Sequence, residues 1–147
     1  MLHRIAVAVV VAVVLTACGA EPSQDPPVSC PVIAGKFTAR YTLTSTEGNC
    51  GGAKANSTDP MSFEDGKFVS PVDGIVRCTT KQYDCEVVVN CKTQVLAARL
   101  DFQGTLSADG TQLVGSATLK GSYQGCTSVS YDVDALMQGE AVTPVPE

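Results

Sequence analysis

Apolar and polar positions alternate with period two along most of this chain. Lys36 to Ser45 sets Phe37, Ala39, Tyr41 and Leu43 on one face and Thr38, Arg40, Thr42 and Thr44 on the other. That alternation, rich in β-branched residues, predicts a half-buried strand. Thr46 to Pro60 is rich in small and polar residues and reads as a long loop. Met61 to Glu64 and Lys67 to Ser70 flank Asp65-Gly66, a hairpin signal. Pro71 to Gly74 turns again, and Ile75 to Thr80 and Cys85 to Lys92 form the next pair around Lys81 to Asp84. Val95 to Leu106 contains good helix formers. Leu96, Ala98, Leu100 and Phe102 nevertheless alternate against Arg99, Asp101 and Gln103, so a strand is predicted there too. After a turn at Ala108, Asp109 and Gly110, the pattern continues through Thr111 to Lys120 and Thr127 to Met137.

These segments predict an all-β domain over residues 30–140, a single antiparallel meander of about eight strands. A meander of that count can close into a small barrel, which removes exposed sheet edges. A two-sheet sandwich is the alternative. In the barrel the last strand pairs with the first, and Phe37, Tyr41, Phe102 and Tyr131 point into the core rather than forming a ligand cage.

The N-terminus breaks the pattern. Met1 to Arg4 carries positive charge, and Ile5 to Leu15 is eleven residues of Ile, Val, Ala and Leu only. A helix of that length spans roughly 16 Å, about half a hydrocarbon core. Residues 1–17 therefore read as a secretory signal peptide. Leu15-Thr16-Ala17-Cys18 resembles the lipobox of bacterial lipoproteins. The resemblance implies cleavage before Cys18, lipidation of Cys18 by a diacylglycerol and an acyl chain, and membrane attachment through that lipid. Two or three chains hold a protein firmly where one is marginal. Gly19, in place of Asp, suits the outer membrane rather than the inner. Residues 18–29 carry three prolines and read as a lipid-anchored tether of ~30 Å when extended. Residues 141–147 read as a C-terminal tail.

Removing residues 1–17 takes away Arg4 and no acidic residue, so the formal charge moves from −5 to −6. The remaining basic residues are scattered along the sequence, and nucleic acid is not expected as a partner, because phosphate recognition needs a basic face. Acylation of Cys18, one of seven cysteines, leaves six: Cys30, Cys50, Cys78, Cys85, Cys91 and Cys126. An even number in an exported chain predicts three disulfides. Placing the strands in a barrel suggests Cys50–Cys126 and Cys78–Cys85, which leaves Cys30 for Cys91. No C-x-x-C occurs and the only histidine is His3, so neither a metal nor a cofactor is expected.

The absence of histidine after His3 also removes the usual base for nucleophilic catalysis. Carboxylate pairs that could hydrolyse glycosides are Glu64/Asp65, Asp84/Glu86 and Asp132/Asp134, and all read as turn or outward-facing charges. No catalytic residue is assigned. Gly35-Lys36-Phe37 opens the first strand where lipocalins carry Gly-x-Trp, with Phe in the Trp position, a lipocalin-like start of three residues. The chain as a whole resembles the small cysteine-rich lipoproteins of bacterial envelopes, which implies a surface or periplasmic place and no particular activity. The expectation is a non-enzymatic, lipid-anchored β-domain that binds a small apolar ligand or an envelope protein. A structural or shielding module without ligand, and a carboxylate-based hydrolase, are the alternatives.

Overall fold

Eight strands follow one another with no helix between them in the computed structural model, which describes residues 29–71, 74–94, 97–123 and 125–139. The segments expected to be signal peptide and C-terminal tail, Cys18 and nearly all of the expected tether lie outside the described residues, as does Leu96. The strands are β1 (Gly35–Gly48), β2 (Asn56–Glu64), β3 (Lys67–Val69), β4 (Val76–Tyr83), β5 (Glu86–Thr93), β6 (Arg99–Leu106), β7 (Gln112–Tyr123) and β8 (Cys126–Met137). Their order across the sheet is β3-β2-β1-β8-β7-β6-β5-β4, with every laddered neighbour antiparallel. The expected β1–β8 pairing closes the meander, with Phe37 opposite Met137 and Tyr41 opposite Val133.

The result is a nearly closed barrel with one seam, between β3 and β4. There the Phe68 N–H donates to Thr80 Oγ1 at 2.8 Å. Bulges between Leu43 and Ser45, and between Glu47 and Gly48, bend β1. Such extra residues increase twist and help a sheet curl. A sharper constraint lies where Gly104 faces Gly115 across β6 and β7. A Cβ on Gly115 would sit 2.1 Å from the Gln103 carbonyl oxygen, so the two strands approach more closely than any side chain permits.

The alternation places the apolar residues inside as expected. Phe37, Ala39, Phe63, Val87, Val89, Phe102, Leu106, Leu113, Ala117, Val133 and Ala135 form the core. Phe63 packs edge-on against both Phe37 and Phe68, with centroids 5.9 and 5.5 Å apart. We call the end holding the start of β1 the lower end. An arm, residues 29–34, crosses it and seats Ile33, 1% exposed, in the core. Gln82 holds the arm: its Oε1 accepts from Ile33 N–H at 2.9 Å and its Nε2 donates to Pro31 O at 2.8 Å. Gly66 N–H donates to Ile33 O at 3.0 Å.

Three disulfides staple the barrel, and two pairings differ from expectation. Cys50–Cys126 forms as the meander reading places it, with Cα atoms 4.6 Å apart. The expected Cys78–Cys85 and Cys30–Cys91 are replaced by Cys78–Cys91 and Cys30–Cys85. The cause is the β4–β5 register. β4 runs to Tyr83, which pairs with Glu86 around a tight Asp84-Cys85 turn, and Asp84 takes φ 52°. This turn is shorter than the Lys81 to Asp84 connection expected. It sets Cys78 opposite Cys91 near the upper end and leaves Cys85 in the lower turn. Five residues of strand, roughly 17 Å, then separate Cys78 from the turn, far beyond disulfide reach. The arm crossing the lower end brings Cys30 to Cys85 instead.

The Thr46 to Pro60 segment is also more ordered than a loop. β1 extends to Gly48 and β2 begins at Asn56. Pro60 is tolerated inside β2 because β3 covers only Ser62 to Glu64, so Pro60 lies on an open edge. Conversely, the strand expected from Val95 begins only at Arg99.

Candidate functional site

Core side chains fill the barrel to about its middle, and above them the lumen opens. A small void of about 40 Å³ lies among Tyr41, Met61, Phe68, Val89, Leu100, Phe102 and Ala117. Over it sits a cup of about 560 Å³ at the upper end. Tyr41 borders the void and Tyr131 borders the cup. The two rings meet edge to face, 6.2 Å apart at 84°, and form a floor between the two spaces.

The wall of the cup follows from strand length and parity. β7 and β8 run twelve residues each, longer than β4 to β6 at eight. Their upper ends stand above the packed core and present Leu119, Val129 and Tyr131 inward, with Ala98 opposite Gly121. Leu119 is 46% exposed although it shares the inward face of buried Leu113 and Ala117, because nothing fills the space before it.

The facing wall is the loop of residues 49–55. It is pinned at both ends: Asn49 N–H donates to Gly125 O and Leu43 N–H donates to Ala55 O, both at 2.8 Å. Ala53 N–H donates to Cys50 O at 2.9 Å, and the Cys50–Cys126 bridge ties the loop to β8. Gly51 and Gly52 line the cup at this wall. Asn49, Lys120 and Thr127 supply its polar groups. An apolar bowl with few polar groups at its rim can take up an apolar or amphipathic molecule.

The cup contains no carboxylate among its lining residues. Glu64 and Asp65 lie at the β2–β3 turn and Asp84 in the β4–β5 turn, and all are exposed. Glu86 accepts from Gln103 Nε2 at 2.5 Å on the outer face. Asp132 and Asp134 point outward, and Asp134 accepts from Gln112 Nε2 at 2.9 Å. These pairs do not converge. All six expected cysteines are bridged, so none is a nucleophile. Among the described residues no three His, Cys, Asp or Glu gather as a metal would require.

Two titrating groups are displaced from their ordinary values. Burial raises the Tyr41 phenol above 10, and the charge of Asp59 adds to the effect. Asp109 is lowered to about 2, first by the Ser107 hydroxyl at 2.6 Å and then by Thr111, whose N–H and hydroxyl donate at 3.0 and 2.8 Å. Asp109 fixes the β6–β7 turn at the lower end, away from the cup.

Of the four aromatics assigned to the core, Phe37 and Phe102 are buried there, while Tyr131 doubles as cup lining. The sequence reading did not foresee the cup. The usable signal was the alternation of β7 and β8 continuing beyond the length of β4 to β6, opposite a glycine-containing loop closed by a cysteine.

Comparison with protein-family profiles, curated proteins and solved structures finds no match to this chain.

Proposed function

We propose that the chain is a lipid-anchored envelope domain that takes up a small apolar or amphipathic ligand in its upper cup. The observation that carries this is the combination of a filled lower barrel with an open, mainly apolar bowl of about 560 Å³ above it. Ligand sites commonly fall between about 300 and 1,000 Å³. A barrel serving only as a spacer or shield has no need of an exposed Leu119 inside its own mouth.

Polarity along the barrel supports the same reading. The arm that leads back to Cys18 is stapled to the lower end by Cys30–Cys85. The cup opens at the other end. Lipid on Cys18 then holds the closed end toward the membrane and presents the mouth to the aqueous compartment. Cargo on this reading arrives from solution or from a partner, not by lateral entry from the bilayer.

The test is a titration of the unacylated mature chain with an anilinonaphthalene dye. Saturable binding at one site is expected, and Ala98→Trp, which places an indole in the bowl, is expected to abolish it. Unchanged binding in that variant contradicts the cup. No binding at all favours the shielding module. Mass spectrometry of the native N-terminus tests the anchor separately; an unmodified Cys18 contradicts it.

A further inference from the structure

The basic residues, scattered in sequence, are brought together by strand register. Arg77 pairs with Lys92 across β4 and β5, Lys92 with Arg99 across β5 and β6, and Arg99 with Lys120 across β6 and β7. Cross-strand partners share a face, so four cations form one continuous row on the outside of four adjacent strands. All four are exposed. The row holds four of the nine basic residues that follow the signal segment, in a chain whose overall charge is negative.

Like charges placed directly opposite one another are unfavourable in a sheet, and here three such pairings occur in succession. Compensation is partial. Arg99 Nε contacts Asp101 Oδ1 at 2.6 Å, and its Nη2 donates to Asn90 Oδ1 at 3.2 Å. Arg77 Nε lies 2.6 Å from the Gln94 amide oxygen when that amide is turned to receive it. Among the described residues, Arg99 alone of the four makes an ion pair. Beyond Lys120 the row ends at Ser128, whose hydroxyl donates to Glu47 at 3.1 Å.

We propose that this row binds a flexible anionic polysaccharide, a glycan chain carrying carboxylates or phosphates. The charges stand at strand spacing, so the row covers roughly 14 Å measured across the strands. In an eight-stranded barrel, four neighbouring strands also wrap about 135° of the circumference. A flat lipid surface cannot touch all four cations on so curved a face, whereas a linear polymer can follow it. The adjacent row carries Thr79, Asn90, Asp101 and Thr118: its hydroxyl and amide groups suit sugar hydroxyls, its one carboxylate is paired with Arg99, and it holds no aromatic ring. Single-stranded nucleic acid sites rely on such rings for base stacking, which favours a glycan over a nucleic acid. This inference rests on register; of the four cations, Lys120 also lines the cup, while Arg77, Lys92 and Arg99 do not.

The test measures binding of polygalacturonate to the oxidised mature chain at low salt and as salt is raised. Neutral dextran, oligo(dT) and anionic lipid vesicles serve as comparators. The wild-type chain is expected to bind polygalacturonate best. Lys92→Gln/Lys120→Gln is expected to weaken binding at least tenfold and to lower the slope of log K against log salt by about two. Lys36→Gln/Lys67→Gln removes the same charge at the lower end and is expected to change binding less than twofold. Unchanged melting temperatures show that each variant is folded. Absent wild-type binding, equal loss in both double variants, or tighter binding of dextran, oligo(dT) or vesicles each overturns the proposal.

Discussion

Cys30 and Cys85 are bonded across the lower end of the barrel, with Cα atoms 5.0 Å apart and a separation of 55 positions in sequence. The bond holds the incoming arm against the Asp84-Cys85 turn, and the arm in turn seats Ile33 among the core residues. One bridge therefore both closes the barrel floor and fixes where the N-terminal arm meets the barrel.

Replacing Cys30 and Cys85 together by Ala is predicted to cost about 2–5 kcal/mol, the range for a native bridge in a small disulfide-stapled domain. Ile33→Ala is predicted to cost a similar ~2–5 kcal/mol by leaving a cavity. The double cysteine variant combined with Ile33→Ala should cost less than the sum, because both act by holding one arm. Denaturant unfolding of the four proteins measures this. Strict additivity contradicts the arm acting as a unit.

Gly115→Ala is predicted to destabilise by at least about 1–3 kcal/mol, the usual range for forced overpacking. Its Cβ would meet backbone oxygen at 2.1 Å, and backbone yields poorly. Gly52→Ala, where nothing lies within 4 Å of the added atom, is the matched control and should be near neutral. Thermal melts of the two variants compare them, and equal melting temperatures contradict the close β6–β7 approach.

Asp109 is predicted to titrate near pH 2, and Ser107→Ala to return it toward the ordinary aspartate range. The sign follows from linkage. A carboxylate held below its unfolded value stabilises the fold above about pH 4, and that contribution fades as pH falls through about 2. Because Asp109 is fully exposed, the readout is its own NMR titration rather than global stability. A midpoint near the ordinary value in the native protein contradicts the Ser107–Asp109–Thr111 turn.

Tyr41 is predicted to ionise later than an exposed phenol. Its raised pKa means that the fold prefers the neutral form, so its contribution is present below about pH 10 and is lost as the pH rises above it. Asp59→Asn should lower the Tyr41 midpoint, though not fully, because burial is the larger cause. Absorbance titration of the wild-type chain beside Tyr41→Phe isolates this residue.

The architecture was readable because inward and outward positions alternate so regularly. Phe37, Ala39, Leu113, Ala117, Val133 and Ala135 are where period two places them. Strand ends were less readable, and that error carried into the cysteines. Lys81, Gln82 and Tyr83 look like turn residues, yet Gln82 is needed in strand to hold the arm, a contact 49 and 51 residues distant along the chain. Extending β4 by three residues exchanges two disulfides. The basic row was hidden for the same reason. Arg77, Lys92, Arg99 and Lys120 become neighbours only once register is known, and register depends on turn length more than on composition. The cup was hidden because it depends on unequal strand lengths at one end, a property of the assembled barrel.

The central claim is that the upper end, and no other surface, receives an apolar guest. The direct measurement is an amide and methyl NMR map of the oxidised protein with a saturating naphthyl probe. The predicted shifts fall on Ala53, Ala98, Leu119, Val129 and Tyr131, with the lower end around Ile33 and Phe63 unmoved. Shifts centred on the exposed Val32 and Tyr83 at the lower end, or spread evenly over the barrel, would contradict it.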